Sequence, residues 1–403
     1  MSIIVQKFGG SSVADTERIG RVADRILAAR EAGHDVVVTV SAMGRTTRDL
    51  LDRAARMNEA PQLRELDALL STGEQASAAL LSMALDRRGA SAVSLDGGQA
   101  GVRTDDRHFN ASVEAVDPQR LLTELAEGRI PVVTGYQGRC PAGETTTLGL
   151  GGSDTTAVAL AAAVGAQRCD ICTDVDGVYS ADPRRVPDAT RLDDISYTEM
   201  VMLARHGAAV LNPRSVDYAR RCAVPLRVCS TFEPGSPGTR IRDMAPDGEP
   251  RPVGIASHDA LVPISINDAR GRARSVGDTI LEWLGKDDVF LDRAAPGGEH
   301  RELLVAAGDI PEAGAFAERV ERTFGSRVAV HAERGSVSAI GLGIGQDEAI
   351  ADGARRETER AGIPLYGHYR DDHAVTCVLS ARTVPAAMKL LHERLDAGIR
   401  EVA

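Results

Sequence analysis

At 403 residues the chain exceeds the length over which a single hydrophobic core keeps growing, so two or three domains are expected. A hydrophobic fraction of 43% and a charged fraction of 26% exclude a disordered or fibrous chain, and only the aromatic share of 3% is low. The formal charge of −11 carries no basic stripe, and no apolar run is long enough for a membrane span or signal peptide; a cytoplasmic small-molecule enzyme with no nucleic-acid or membrane partner is the expectation.

SIIVQKF (2–8) reads as a buried strand stopped by Gly9 and Gly10, and DTERIGRVADRILAAREAG (15–33) as an amphipathic helix with a glycine stop. DVVVTVSAM, ASAVSLD, RIPVVTGYQG and CDICTDVDGVY follow as strand-length apolar runs, alternating with helical segments such as LLSTGEQASAALLSMALDRRG. Continuous apolar strands between amphipathic helices predict a mainly parallel sheet covered on both faces, with ligands at the carboxyl ends of its strands. EPGSPGTRIRDMAPDGEPRP, dense in Pro, Gly and charge, marks a linker. Beyond it, strand, helix, strand, helix, strand recurs weakly about twice, which predicts two ferredoxin-like α+β modules.

The loops at those carboxyl ends, KFGGSS, SAMGRTT, GYQG and TDVDGVY, are polar or glycine-rich, and TTTLGLGGSDTTA (145–157) adds three glycines within four positions, followed by Asp154. Gly9 and Gly10 let backbone approach an anion, Ser11 and Ser12 add donors and can cap the following helix, and Lys7 supplies charge. The same residues also read as a simple tight turn before a helix. The chain has 44 arginines and only three lysines, Lys7, Lys286 and Lys389, so a lysine kept in a glycine-rich turn suggests a task for a compact ammonium. GxxxxGK[ST], GxGxxG, HRD and DFG are absent. Among six cysteines, Cys169 and Cys172 have CxxC spacing but sit in an apolar run with no nearby His, and read as core thiols; no metal ligands are assigned.

KFGGSS, SAMGRTT, STGEQ, GGSDTTAVALAAA, TDVDGVYSADPR and ISYTEM, in this order and spacing, resemble the aspartate kinases of the amino-acid kinase family over residues 1 to about 240, and the tail resembles that family's paired ACT modules. The resemblance implies a three-layer αβα sandwich over 1–235, a linker over 236–253, and tandem ACT modules over 254–403, approximately 260–330 and 336–403, with one inserted in the other as an option. It implies ATP-dependent phosphorylation of the β-carboxylate of L-aspartate or a close analogue, with Mg²⁺. By the same resemblance Lys7 neutralises the transferring phosphoryl group, Gly9, Gly10 and Ser11 cradle phosphates, and Thr173, Asp174, Tyr179, Asp182 and Arg184 lie in the nucleotide-holding stretch. Asp154 orients Lys7, holds Mg²⁺ or caps a helix. Ser41, Thr47, Glu74 and Ser153 line the amino-acid pocket, with Glu74 a counter-ion for the α-ammonium or a solvated helix residue.

Two departures stand out. The family's loop reads TTLGRGGSD, its arginine clamping a substrate carboxylate, whereas this chain has Leu150; Arg45 or Arg103 could substitute, the substrate could lack or mask one carboxylate, or the chain could be an impaired kinase kept as a regulatory or assembly protein. In the tail, NDARGRARS replaces a segment like DKPG, and YGHYRDDHAV departs from a serine-rich pattern, which predicts weak or absent feedback control. The modules still read as sheet cores suited to homo-oligomer contacts, and GLGIG (341–345) reads as an ACT strand, not a dinucleotide loop.

Overall fold

The computed structural model describes residues 2–208, 210–233, 235–245, 248–284, 289–310 and 313–399; Lys286 lies outside them. The chain divides into two compact units, one of Met1–Val178, Arg191–Val201 and Ala209–Ala245, the other of Tyr179–Thr190, Met202–Ala208 and Pro246–Ala403.

The first unit contains, in chain order, β1 (Ser2–Phe8), α1 (Thr16–Glu31), β2 (His34–Val40), α2 (Thr46–Met57), α3 (Leu63–Asp86), β3 (Ala92–Leu95), β4 (Val102–Thr104), β5 (Val113–Val116), α4 (Gln119–Ala126), β6 (Ile130–Thr134), β7 (Gln137–Arg139) and β8 (Thr145–Thr147). It continues with α5 (Gly152–Ala163), β9 (Arg168–Thr173), β10 (Asp194–Ser196), α6 (Tyr197–Arg205, within this unit to Val201), α7 (Pro213–Arg221), β11 (Leu226–Ser230) and β12 (Thr239–Arg242). Eight strands form one sheet in the order β10-β12-β11-β9-β1-β2-β6-β3, and only the β11–β12 pair is antiparallel. A four-stranded sheet, β5-β4-β7-β8, which the apolar runs do not foretell, lies beside it in sequence.

Side chains alternate across a strand, and this decides what β1 presents to each face. Ile4 and Phe8 join Val36, Val38, Val40, Ile130 and Val132 in a core with Val22 and Ile26 of α1 and Leu81 and Leu85 of α3. Val5 and Lys7 therefore point to the other face, which α5 covers by packing on β1, β2 and β9. Because β1, β2, β6, β9 and β11 run parallel, their carboxyl ends lie along one edge: Phe8 is level with Val40 and Cys172, Val40 with Thr134, and Ser230 with Thr173. Two local readings are corrected here. The N-cap of α1 is Asp15, which accepts from the Arg18 N–H at 2.8 Å, so Ser11 and Ser12 do not cap it. The strand in CDICTDVDGVY ends at Thr173, where the polar TDVDG turn begins.

The second unit is built on β13 (Gly254–Asn267), α8 (Ala273–Trp283), β14 (Leu291–Ala294), β15 (His300–Ala306), α9 (Ala313–Phe324), β16 (Val328–Val330), β17 (Arg334–Ile340), α10 (Glu348–Arg360), β18 (Leu365–Arg370), β19 (Ala374–Leu379) and α11 (Val384–Ile399). Its sheet has the order β14-β15-β13-β17-β19-β18, with β16 also on β13. One long strand serves both halves. Gly254–His258 pair with β17, Leu261–Asn267 pair with β15, and a register shift separates the two stretches. Residues from 261 to 330 thus form one α+β half set between the first strand and the remainder of the other, each with its own core.

Candidate active site

Lys7 leaves β1 on the α5 face and meets Asp154 in the first turn of α5, Nζ to Oδ1 2.6 Å, with both side chains 12% exposed. Asp154 does not cap α5. That position belongs to Gly151, at φ +74°, where an added Cβ would stand 2.3 Å from the Asn212 Cβ; only glycine lets the loop turn this closely against the start of α7. Asn212 also donates from Nδ2 to the Leu150 carbonyl at 3.0 Å.

The first glycine loop is held from two sides. Gly10 accepts from the Gly44 N–H at 3.0 Å, and a Cβ on Gly10 would fall 2.9 Å from the Ala42 carbonyl, so this residue needs the bare backbone; Gly9 has room for one. Ser11 accepts from Arg18 Nη1 through its carbonyl at 2.6 Å, while Ser12 and Thr231 share a buried hydroxyl contact of 2.7 Å. The loop after β2 follows the same edge, the Ser41 N–H donating to the Phe8 carbonyl at 3.0 Å.

Glu74, on α3, is 3% exposed. Its Oε1 accepts from the Ala42 N–H at 2.9 Å, and its Oε2 is buried without a hydrogen-bond partner. Burial, opposed by the Ala42 hydrogen bond, pushes its carboxyl up to about 7. A carboxylate so placed, with one oxygen unsatisfied, is prepared to receive a cation or a donor. Thr47 sits in the first turn of α2, directly after Ser41–Thr46, and Ser153 packs against Gly135, where a Cβ would come 2.7 Å from the Ser153 Oγ. The structure brings Lys7, Gly9, Gly10, Ser11, Ser41, Glu74, Ser153 and Asp154 to one edge of the first unit.

The stretch expected to hold a nucleotide is distributed differently. Thr173 and Asp174 belong to the first unit, where the Thr173 hydroxyl donates to Asp174 Oδ1 at 3.0 Å and its carbonyl accepts from the Thr231 N–H at 2.7 Å. Tyr179, Asp182 and Arg184 belong to the second. There the Arg184 fork holds Asp182 at 2.9 and 3.0 Å and keeps its carboxyl below the ordinary range.

Leu150 is 91% exposed. Arg45 and Arg103, the sequence's candidates to replace a missing arginine, are both exposed, at the start of α2 and within β4. The arginine tied to the glycine loop is instead Arg214, whose Nη1 donates to Asn110 Oδ1 at 3.0 Å, and that oxygen lies 2.9 Å from where a Gly149 Cβ would stand. Arg214, Asn110, Asn212 and Thr231 were not legible as site neighbours, because they come from the stretch before β5 and from either end of the α7–β11 segment. Among the described residues no group of three or more His, Cys, Asp or Glu is placed to hold a metal, and no helix is long and apolar enough to cross a membrane.

A model of the amino acid kinase family matches residues 2–230. The aspartokinase of Geobacillus stearothermophilus is 39% identical over 100% of this chain and 99% of its own length. Among solved structures, E. coli aspartokinase III in complex with aspartate and ADP, in its R-state, superposes with a TM-score of 0.81 at 25% identity, covering 98% of this chain and 100% of that one. The same enzyme in complex with lysine and aspartate, in its T-state, gives 0.77 at 25% identity, covering 98% and 99%.

Proposed function

Because the chain belongs to the amino acid kinase family, and within it to the aspartokinases, we propose that it transfers the γ-phosphoryl group of ATP to the β-carboxylate of L-aspartate, giving an acyl phosphate. The observation that carries this reading is the Lys7–Asp154 pair held between two glycine-rich loops at the carboxyl edge of a parallel sheet. Phosphoryl transfer asks a protein mainly for positioning and for charge at the transferring group. Lys7 supplies the charge, Asp154 fixes its direction, and Gly10 and Ser11 bring backbone within reach of phosphate oxygens. Glu74 takes the α-ammonium with its free oxygen, and Ser41, Thr47 and Ser153 orient the carboxylates. Thr173, Asp174, Tyr179, Asp182 and Arg184 are assigned to the nucleotide.

Mg²⁺ uses one or two carboxylates besides substrate phosphates, and the buried Asp154 carboxylate fits such a share; the ion would neutralise charge on the β- and γ-phosphates. The tail is proposed to pair copies of the chain while responding weakly to amino acids. Asp268, in the segment that departs from DKPG, is already taken by the Arg270 N–H at 2.9 Å, Arg327 at 3.2 Å and Arg272 at 3.5 Å. A cytoplasmic location completes the reading.

Leu150 favours one second reading. An exposed leucine where a charged clamp is expected suits an aspartate derivative whose α-carboxylate is masked. Acyl phosphate trapped as the hydroxamate from Mg-ATP and L-aspartate decides between them. Turnover by the natural chain supports aspartate; turnover that appears only with an α-amide or ester of aspartate supports the second reading, and none with either overturns both.

A further inference from the structure

On the sheet face opposite Lys7, beneath the Phe8–Ser12 loop, β9 and β11 place Cys172 level with Cys229. The two sulfurs are 3.7 Å apart, and the residues are 0% and 1% exposed. Cys169, which shares the CxxC spacing, lies three residues back on the strand and outside the core that holds Cys172 and Cys229. The pair that matters is therefore one of tertiary structure, 57 residues apart.

Arg25 of α1 completes the cluster. Its Nη2 donates to the Cys229 sulfur at 3.1 Å, while its Nε and Nη1 are buried without hydrogen-bond partners. The nearest carboxylate, Asp170, is spent elsewhere: Arg227 grips it at 2.9 and 2.7 Å, and Arg168 adds a contact of 2.9 Å. Two guanidinium groups thus share one carboxylate, and the third, also within its field, hydrogen-bonds to sulfur alone. A desolvated guanidinium is stable beside an anion and costly without one, which favours a thiolate at Cys229. Either sulfur can donate across their contact, and with Cys229 ionised the donor is the Cys172 thiol. That hydrogen bond, working with Arg25 against burial, holds the Cys229 thiol below its ordinary value, whereas burial pushes Cys172 well up.

We propose that Cys229 and Cys172 form a peroxide-responsive thiol pair, with Cys229 the attacking thiolate held by Arg25 and the resulting disulfide loosening the glycine loop above it. In the first step the Cys229 sulfur attacks one peroxide oxygen, the O–O bond breaks, Cys229 becomes a sulfenic acid, and hydroxide leaves and is protonated. In the second the Cys172 sulfur, losing its proton, attacks the Cys229 sulfur; the S–O bond breaks and water departs. Two electrons pass from the sulfurs to peroxide, giving one disulfide and two waters. Arg25, half-buried over Cys229, is the cover that must swing aside to admit a molecule little larger than water.

The coupling to the site is direct. The Cys172 carbonyl accepts from the Gly9 N–H at 3.4 Å, the next residue's carbonyl accepts from Thr231, two residues beyond Cys229, and the Thr231 hydroxyl touches Ser12. Closing the sulfurs to a bond of about 2.05 Å moves the strand ends that hold these contacts.

The activity arm rests on the proposed kinase function; the chemical arm does not. The full chain carrying Cys222→Ser, which removes the exposed thiol just after α7, is exposed to hydrogen peroxide, digested without reductant and mapped by mass spectrometry. A linked Cys172–Cys229 peptide is expected, together with a reversible loss of hydroxamate formation of about fivefold or more that dithiothreitol restores. With Cys172→Ala added, no link forms and dimedone labels Cys229. Arg25→Lys, which keeps the charge, retains labelling, and Arg25→Gln slows it by about tenfold. Absence of the linked peptide, with oxidation confined to other cysteines, overturns the pair. A linked enzyme of unchanged activity overturns the coupling, and a linked peptide in a chain without turnover overturns the kinase reading while supporting the pair.

Discussion

In the second unit Arg301, 4% exposed, spends its guanidinium on Asp292 at 2.7 and 2.6 Å, on Asp278 at 2.7 Å and on the Arg274 carbonyl, under a helix kept bare by Gly277. In the first unit Glu74 is as deeply buried, yet one of its oxygens has no partner, and Lys7 has a single carboxylate. Both arrangements remove charge from water, which is expensive unless each group finds its complement. Arg301 has its complements within the fold, so its charge serves structure. The incomplete satisfaction of Glu74 is a stability cost that a bound ligand can relieve, in keeping with the substrate role proposed for it.

Replacing Lys7 tests the contrast most severely. Lys7→Met is expected to lower kcat by about 10³ or more while melting temperature changes little, because the proposed role places the charge at the transferring group. Lys7→Arg is expected to restore less than a tenth of the loss, since a planar fork cannot take the place of a compact ammonium. Measured kcat for the hydroxamate reaction checks both.

Glu74 gives the next effect, visible as pH dependence. Its folded carboxyl titrates near 7 against an ordinary 4.5, so the unliganded fold binds a proton that the unfolded chain has released. This contribution is fully present below about pH 4.5 and is lost as pH rises through 7, about 3 kcal/mol in all. Urea unfolding of the ligand-free protein should show the decline, and Glu74→Gln should flatten it while raising KM for the amino acid by about 30-fold. A flat wild-type profile would mean that Glu74 is hydrated and not poised.

Arg301→Leu sharpens the structural side. Asp278 and Asp292 keep much of their hydration, their side chains being 62% and 38% exposed, so the expected loss is about 2 kcal/mol of stability in chemical denaturation, without the pH signature of Glu74. Leu150→Arg is the mildest change. The exposed side chain makes room at no packing cost, and KM for L-aspartate is expected to fall about tenfold with kcat within a factor of about three. A rise in KM would show that the pocket is shaped for a different acceptor.

The parallel sheet was legible because β1, β2 and β6 are continuous apolar runs between amphipathic helices, and β1 begins and ends where its composition says it should, at Ser2 and Phe8. Both glycine loops stood out as well, since they interrupt apolar segments with residues that suit backbone approach to an anion. The small sheet β5-β4-β7-β8 was not, because its strands are three or four residues long and too short to carry a period. Nor was α2, whose apolar contact is confined to Leu50, Leu51 and Ala54, packed against Leu66 and Leu70 of α3, a face too short to carry a helical period along the chain.

Local sequence settled what the long apolar segments are and which residue types stand at their ends: Lys7 near the end of a buried strand, Asp154 after three glycines, Cys172 within an apolar run. Tertiary structure decided which of them meet. Strand alternation turned Lys7 toward α5 and Cys172 toward α1, and the parallel register set Cys229 beside Cys172 and Thr231 beside Ser12. It also buried Glu74, one of five charged residues on a long helix, with one carboxylate oxygen unpaired. Periodicity is a property of neighbouring residues and can be read along a chain; complementarity between residues distant in sequence depends on packing, where desolvation sets whether a charge is ordinary or poised.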